Sequence, residues 1–267
     1  MYAALNETGN DVYRFDYMPI IDGDMLREWP SVAMLAGRTA NVPIITGSVT
    51  DEGTLFCPTG INTTDQLREY LLYSNQYKLS SSTVERLIEL YPDDNAVGSP
   101  FFTGNETFPD LGLQFKRIAS MLGDYLLIAA NRFNAETSVA QHRDTWAYRF
   151  DIMPTANPAE YGVHHATDIP FAFYVPPDTL DSVSAAFYYS VLTPAQKRAS
   201  QFMSRSFIAF AHDLSPVGTG LEGFPVWPKY NTNATNMVIA ENCSLEKDDF
   251  RKAGISFINE HLLEFVS

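Results

Sequence analysis

Cationic side chains are scarce in this chain. Eighteen Lys and Arg stand against 32 Asp and Glu, for a formal net charge of −14 over 267 residues and a pI near 4.6. The acidic residues are spread along the whole length, so no basic face can neutralise a polyphosphate, and nucleic acid is excluded as a partner. Long apolar runs are also missing. The longest, residues 125–130 and 207–211, fall far short of the roughly 20 residues that a membrane-spanning helix requires, so no segment is expected to span a bilayer. Histidine is rare, with five in all. The adjacent pair His164 and His165 has no further ligand cluster beside it, so neither a metal nor another cofactor is expected. Cysteine is rarer still. Cys57 and Cys243 can either form one disulfide that closes a long loop or remain two buried thiols. The first residues, Met1-Tyr2-Ala3-Ala4-Leu5-Asn6-Glu7-Thr8, carry neither the basic start nor the apolar run of a secretory signal, which by itself reads as cytosolic.

What is present suits a folded α/β protein. A hydrophobic content of 45% lets a chain of this length bury the core of one large domain or two small ones. Residues 41–48 form a short β-branched run ending at glycine, the pattern of a buried parallel strand, and residues 144–153 alternate apolar and polar side chains as a second strand. Residues 236–240 suggest an edge strand. Helices are expected at 66–74 behind the capping residues 62–65, and at 84–91 behind Ser81-Ser82-Thr83, with Pro92 as the stop. Others are expected over 111–142 with a break at Gly123, from Thr193-Pro194 to about His212, and over 248–265. No repeat or low-complexity tract occurs. Five Asn-x-Ser/Thr triplets, at Asn6, Asn62, Asn105, Asn233 and Asn242, are glycan acceptors if the chain enters the secretory route.

Chemistry is concentrated in two segments. Gly47-Ser48-Val49-Thr50-Asp51-Glu52-Gly53 places acids just past the first strand, where open α/β sheets carry their functional groups. Gly162-Val163-His164-His165-Ala166-Thr167-Asp168-Ile169-Pro170-Phe171 supplies an imidazole that titrates near neutrality. With Asp16 to Asp24, Asn41 to Gly47, Gln114 to Ile118, Asp124, and Trp146, Tyr148 and Phe150, these segments resemble in order the type-B carboxylesterase and lipase family, whose members include cholinesterases and fungal lipases.

That resemblance implies the C-terminal half of an α/β-hydrolase fold, with residues 1–267 forming part of one domain. It further implies a carboxylic ester hydrolase in which His165 is the general base and Glu52 the acid that orients it, with Asp51 a competitor for Glu52's place. Asp168 is expected to order the histidine loop through buried hydrogen bonds. His164 is a pocket-wall or structural group. Phe171, Phe173, Tyr174 and residues 187–189 either line an apolar acyl pocket or form core. The family's serine lies in a Gly-x-Ser-x-Gly elbow more than a hundred residues before the acid. Only 51 residues precede Glu52 here, and the 267 contain neither that elbow nor a Gly-rich oxyanion segment. The chain is therefore expected to supply base and acid to a nucleophile on an absent N-terminal half and to be inactive alone, with a small-molecule ester as substrate of the complete enzyme. Poor solubility is expected too, from an uncovered edge at the first strand. Secretion, and a slight preference for the Cys57–Cys243 bridge, follow from the resemblance. The alternatives are a non-catalytic binding or adhesion module and a decaying gene fragment on the same scaffold.

Overall fold

A computed structural model describes residues 20–74, 79–153, 157–174 and 192–265. Its centre is a four-stranded sheet in the order β1 (Ile44–Val49), β2 (Thr145–Phe150), β3 (Thr235–Ile239) and β4 (Ser244–Lys247). The first three strands run parallel, with Ile44 opposite Thr145 and Tyr148 opposite Met237, and β4 returns antiparallel to β3. β3 was expected at an edge but is internal, and β4 is the edge. Ser244-Leu245-Glu246-Lys247 is mostly exposed and has no apolar alternation, so nothing in its pattern announced a strand.

The alternation read in β2 is real, yet neither face is open. Trp146 and Phe150 enter an apolar cluster with Val49, Met237 and Ile239 and with Ala199, Phe202 and Met203 of the helix Pro194–Asp213. Ala147, on the opposite face, packs with Ala135 and Tyr230. Arg149 is held by Glu246 at 2.7 Å and by Asp151 at 3.1 Å. A second large cluster lies among the helices, joining Leu67, Val84, Leu87, Ile118, Met121, Leu122, Ile255 and Ile258.

The helices, in chain order, are α1 (Pro30–Leu35), α2 (Thr64–Glu69), α3 (Ser81–Leu90), α4 (Phe115–Gly123), α5 (Ala129–Ala140), α6 (Ile169–Ala172), α7 (Pro194–Asp213) and α8 (Lys252–Glu260). Reciprocal Thr63 and Gln66 hydrogen bonds start α2, and Thr193 with Gln196 does the same for α7, where Pro194 occupies the first turn. Gly123 does not break the helical run. α4 passes into α5 through one wide π-turn, Asp124–Ile128. The last helix begins later than expected because Arg251 adopts a left-handed φ of 44° at its N-cap.

The two cysteines are both free thiols. Cys57 is buried in the helical cluster with its Sγ 3.6 Å from the Phe115 carbonyl, whereas Cys243 packs against the sheet cluster. Their placement in separate clusters leaves the expected bridge unformed. Among the sequons, Asn62, Asn105, Asn233 and Asn242 are exposed and Asn6 lies outside the described residues. No helix among the described residues is long and apolar enough to cross a membrane.

Candidate active site

The carboxyl ends of β1 and β2 bring the two motifs together. Glu52 follows β1 after a tight turn and is buried, with its side chain 6% exposed. Its Oε1 accepts the Val49 N–H at 2.9 Å, and its Oε2 lies 2.6 Å from His165 Nδ1. A carboxylate only accepts, so the proton of this bond sits on Nδ1 and the neutral imidazole presents Nε2 as its acceptor. The His165 side chain remains 41% exposed. Phe56 packs against the ring at a tilt of 54°, centroids 5.2 Å apart. The hydrogen bond from Glu52 raises the pKa of His165, partial burial opposes it, and the charges of Glu52 and Asp168 add to the rise.

Glu52 is seated by close backbone packing. Gly53 lies so near α4 that a Cβ there would overlap the Ala119 carbonyl oxygen and the Gly123 nitrogen. From the helix side, a Cβ on Gly123 would stand 2.9 Å from the Gly53 nitrogen and 3.5 Å from Glu52 Cβ. The glycine that looked like a helix breaker is thus one half of a glycine-to-glycine contact just before the π-turn. In that turn Asp124, fully buried, accepts hydrogen bonds from Arg251 Nε at 2.8 Å and Nη2 at 2.7 Å and from the Tyr91 hydroxyl at 2.8 Å.

Asp51 does not compete for the histidine. Its carboxylate is 2% exposed and takes three donors: the Ser99 hydroxyl at 2.7 Å, the Phe101 N–H at 2.8 Å and the Val163 N–H at 2.9 Å. Its own N–H donates to the Val163 carbonyl, a single parallel bridge that draws the histidine loop onto the end of β1. Burial raises the pKa of Asp51 and the three donors hold it back. Gly162 fits this junction with a φ of 57°, and a Cβ on it would stand 2.9 Å from Asp51 Cγ.

His164 and His165 differ in exposure and in partners. His164 is 1% exposed, and since a carbonyl can only accept, its Nδ1 donates to the His165 oxygen at 2.9 Å. Burial lowers its pKa. Thr167 closes the turn by donating to the His164 carbonyl at 2.5 Å. His164 is therefore a structural group. Asp168 stands at the N-cap of α6 and accepts the Tyr148 hydroxyl at 2.8 Å. Phe171 is fully buried against Phe150, centroids 4.9 Å apart, so it belongs to the core and not to a pocket wall. Phe173 and Tyr174 are exposed, and residues 187–189 lie outside the described residues.

An acid just past β1, and a histidine on the loop that follows the neighbouring parallel strand β2, make an arrangement of the α/β-hydrolase kind. The comparisons with known proteins agree. The carboxylesterase family profile matches residues 2–257. Lipase 4 of Diutina rugosa is 33% identical over 248 residues, covering 90% of this chain and 40% of that protein. Lipase 2 of Geotrichum candidum is 31% identical, covering 89% and 38%, and the secreted lipase 1 of Botryotinia fuckeliana is 29% identical, covering 93% and 40%. In fold, Aspergillus niger EstA superimposes with a TM-score of 0.76 at 18% identity, over 94% of this chain and 46% of that one. The chain belongs to the carboxylesterase family, and it spans about two fifths of the length of the curated relatives it matches.

Nothing in the sequence signals the contacts made here by the Tyr148 hydroxyl, Phe56 and the Ser99 to Phe101 segment. Tyr148 reads there as a strand residue and as part of the family resemblance, with no partner for its hydroxyl. Phe56 follows Gly53 by three positions, and the Ser99 loop carries no recognisable pattern, so neither had a signal to find.

Proposed function

We propose that this chain supplies the general base, His165, and its orienting acid, Glu52, to a carboxylic ester hydrolase whose nucleophile lies outside these 267 residues. The observation that supports the reading is the 2.6 Å contact between His165 Nδ1 and Glu52 Oε2, with the second carboxylate oxygen anchored on the Val49 N–H. Such a pair fixes one tautomer and leaves Nε2 to take a proton from an attacking hydroxyl.

In the complete enzyme a serine Oγ attacks the ester carbonyl and its proton passes to His165 Nε2. The tetrahedral adduct then expels the alcohol, which leaves with that proton, and an acyl-serine remains. Water attacks the acyl group, His165 again takes the proton, and the acid is released as the serine regains its hydrogen. Glu52 offsets the positive charge that His165 carries between these transfers. The chain holds the base and the acid but neither the elbow that carries a nucleophile nor a Gly-rich oxyanion segment, so it is inactive alone. Secretion also forms part of the proposal, supported by the secreted lipases among its relatives and by four exposed sequons.

The test is hydrolysis of an activated p-nitrophenyl ester by the purified chain and by the longest reading frame that contains it. The chain alone is expected to show no turnover. The longer protein is expected to turn over, to be blocked by a serine-reactive phosphonate, and to lose at least about 10²-fold in kcat with Glu52→Gln or His165→Ala. Phosphonate-sensitive turnover by the 267 residues, or an unaffected His165→Ala, would overturn the proposal.

A further inference from the structure

Asp168 lies three residues after His165 on the same loop, and its charge adds to the rise in the His165 pKa. Its partner is the hydroxyl of Tyr148, a residue in the middle of β2 and remote in sequence from the loop. The Tyr148 ring is not free to choose its place. It lies over Gly47, its register partner on β1, where a Cβ would come within 2.6 Å of Tyr148 Cγ. Trp227 meets it edge-on with centroids 6.1 Å apart, and Phe207 covers it at 6.0 Å. Trp227 is itself tied to the sheet, its indole N–H donating to the Ala147 carbonyl at 3.1 Å. A phenol clamped on three sides presents its hydroxyl at one point, and the Asp168 carboxylate is docked on that point.

We propose that Tyr148 is a positioning residue that fixes Asp168 as a second negative charge beside the Glu52–His165 pair, so that the sheet itself sets the electrostatic environment of the imidazole. The inference rests on the reading of His165 as the base. The charged and titratable groups that bear on His165 are Glu52 from the end of β1, Asp168 from the N-cap of α6 and His164 from its own loop. Glu52 touches Nδ1 directly and accounts for the larger share. Asp168 acts through charge alone, and such an effect depends on where the carboxylate is held. Burial pushes the Tyr148 phenol well above the usual tyrosine range, and the charges of Asp168 and Glu52 add to it, so its hydroxyl acts as the donor to Asp168. Gly47 is part of the device, because a larger residue there would displace the ring.

The experiment is an NMR titration of the His165 ring in the purified chain, run on wild type, Glu52→Gln, Asp168→Asn, Tyr148→Phe and the double variant Tyr148→Phe with Asp168→Asn. Tyr148→Phe keeps the ring packing and removes only the hydroxyl, and Asp168→Asn keeps the shape and removes the charge, so both are expected to fold. Glu52→Gln is expected to lower the His165 midpoint most. Asp168→Asn is expected to lower it less, and Tyr148→Phe less again. The double variant is expected to match Asp168→Asn, because the hydroxyl acts only through the carboxylate. Unchanged midpoints in Asp168→Asn and Tyr148→Phe, or additive effects in the double variant, would overturn the inference. If Glu52→Gln also leaves the midpoint in place, the reading of the base itself fails. A loss of melting temperature in Tyr148→Phe with an unmoved His165 midpoint would mark a merely structural tyrosine and equally overturn it.

Discussion

Replacing Gly53 by alanine isolates the steric seat of Glu52. Gly53 has φ −86° and ψ −11°, ordinary right-handed backbone that any residue adopts. At such a position a methyl group normally stabilises a protein by about 0.4–1 kcal/mol, because it restricts the unfolded chain. Here the added Cβ would overlap the Ala119 carbonyl oxygen and the Gly123 nitrogen, and its third neighbour, the Ala119 carbonyl carbon, would lie at 3.0 Å. All three are backbone atoms of a buried helix, so no side chain can swing aside, and the strand-end turn must lift off α4. Overpacking of this kind costs about 1–3 kcal/mol, which reverses the usual sign. The lift also carries Glu52 away from His165. Gly53→Ala should therefore lower the urea midpoint of the chain and move the His165 midpoint down toward that of a free imidazole. Gly60→Ala is the control. That residue has φ 83° with nothing within 4 Å of its added Cβ, so the variant should lose about 1–2 kcal/mol through backbone strain alone and leave His165 untouched. A Gly53→Ala chain as stable as wild type with an unmoved His165 would refute the packing account of how the acid is placed.

The two adjacent histidines should oppose each other in pH-dependent stability. His165 has a raised pKa, so its contribution is complete below the ordinary imidazole value and is lost as pH rises through its raised value, whereas buried His164, with a lowered pKa, contributes fully above the ordinary value and loses that contribution as pH falls through its depressed one. Denaturation across neutral pH with Glu52→Gln as comparison would show it, since that variant should lose the high-pH slope only. Asp51→Ala strands three donors, at Ser99, Phe101 and Val163, each worth about 1–3 kcal/mol when left unpaired and buried. A loss below about 1 kcal/mol in urea titration would contradict the role assigned to Asp51. Asp124→Asn breaks the bidentate pair with Arg251, in which Asp124 is fully buried, and should cost about 3–5 kcal/mol, read as a fall in melting temperature that adding Arg251→Met partly restores.

How much of this was legible depended on whether a residue's role was local. Strands β1 and β2 showed because their apolar runs are packed on the sheet cluster, and α2 and α7 showed because Thr63 and Thr193 make their caps with residues three positions on. The pairing of Glu52 with His165 was expected from the resemblance that their segments carry, and the fold brings the two side chains to 2.6 Å. What stayed hidden involves contacts between distant segments. Gly123 carries the helix-breaking reputation of glycine, and only the approach of Gly53 explains why it is there. Cys57 and Cys243 look like a pair when counted, but each is absorbed by a different cluster. Tyr148 reads as one more aromatic on a strand, and its use of the hydroxyl becomes visible only when α6 places Asp168 above it.

The free side of β1 shows how the site also manages the sheet. Ile44 and Thr50 donate toward β2, to Asp144 and Phe150 at 3.0 Å, and since the pleat alternates, residues 45, 47 and 49 direct their backbone groups the other way. No strand pairs with that side among the described residues, an arrangement that invites association. Two of its polar groups are nonetheless occupied. Val49 N–H is taken by Glu52, and the Gly47 carbonyl accepts Asn131 Nδ2 at 2.7 Å. Asn131 is held in turn by the Thr46 hydroxyl, which donates to its Oδ1 at 2.9 Å. The catalytic acid proposed here thus covers one end of the edge, and a single α5 asparagine covers its middle. Asn131→Ala should uncover the Gly47 carbonyl and make the chain self-associate at lower concentration in sedimentation velocity. Thr46→Val, which removes the supporting hydroxyl but leaves the asparagine able to reach Gly47, should have the smaller effect. If both variants sediment as the wild type does, side chains are not what guards this edge, and the insolubility expected of an uncovered β1 must be sought in its apolar face instead.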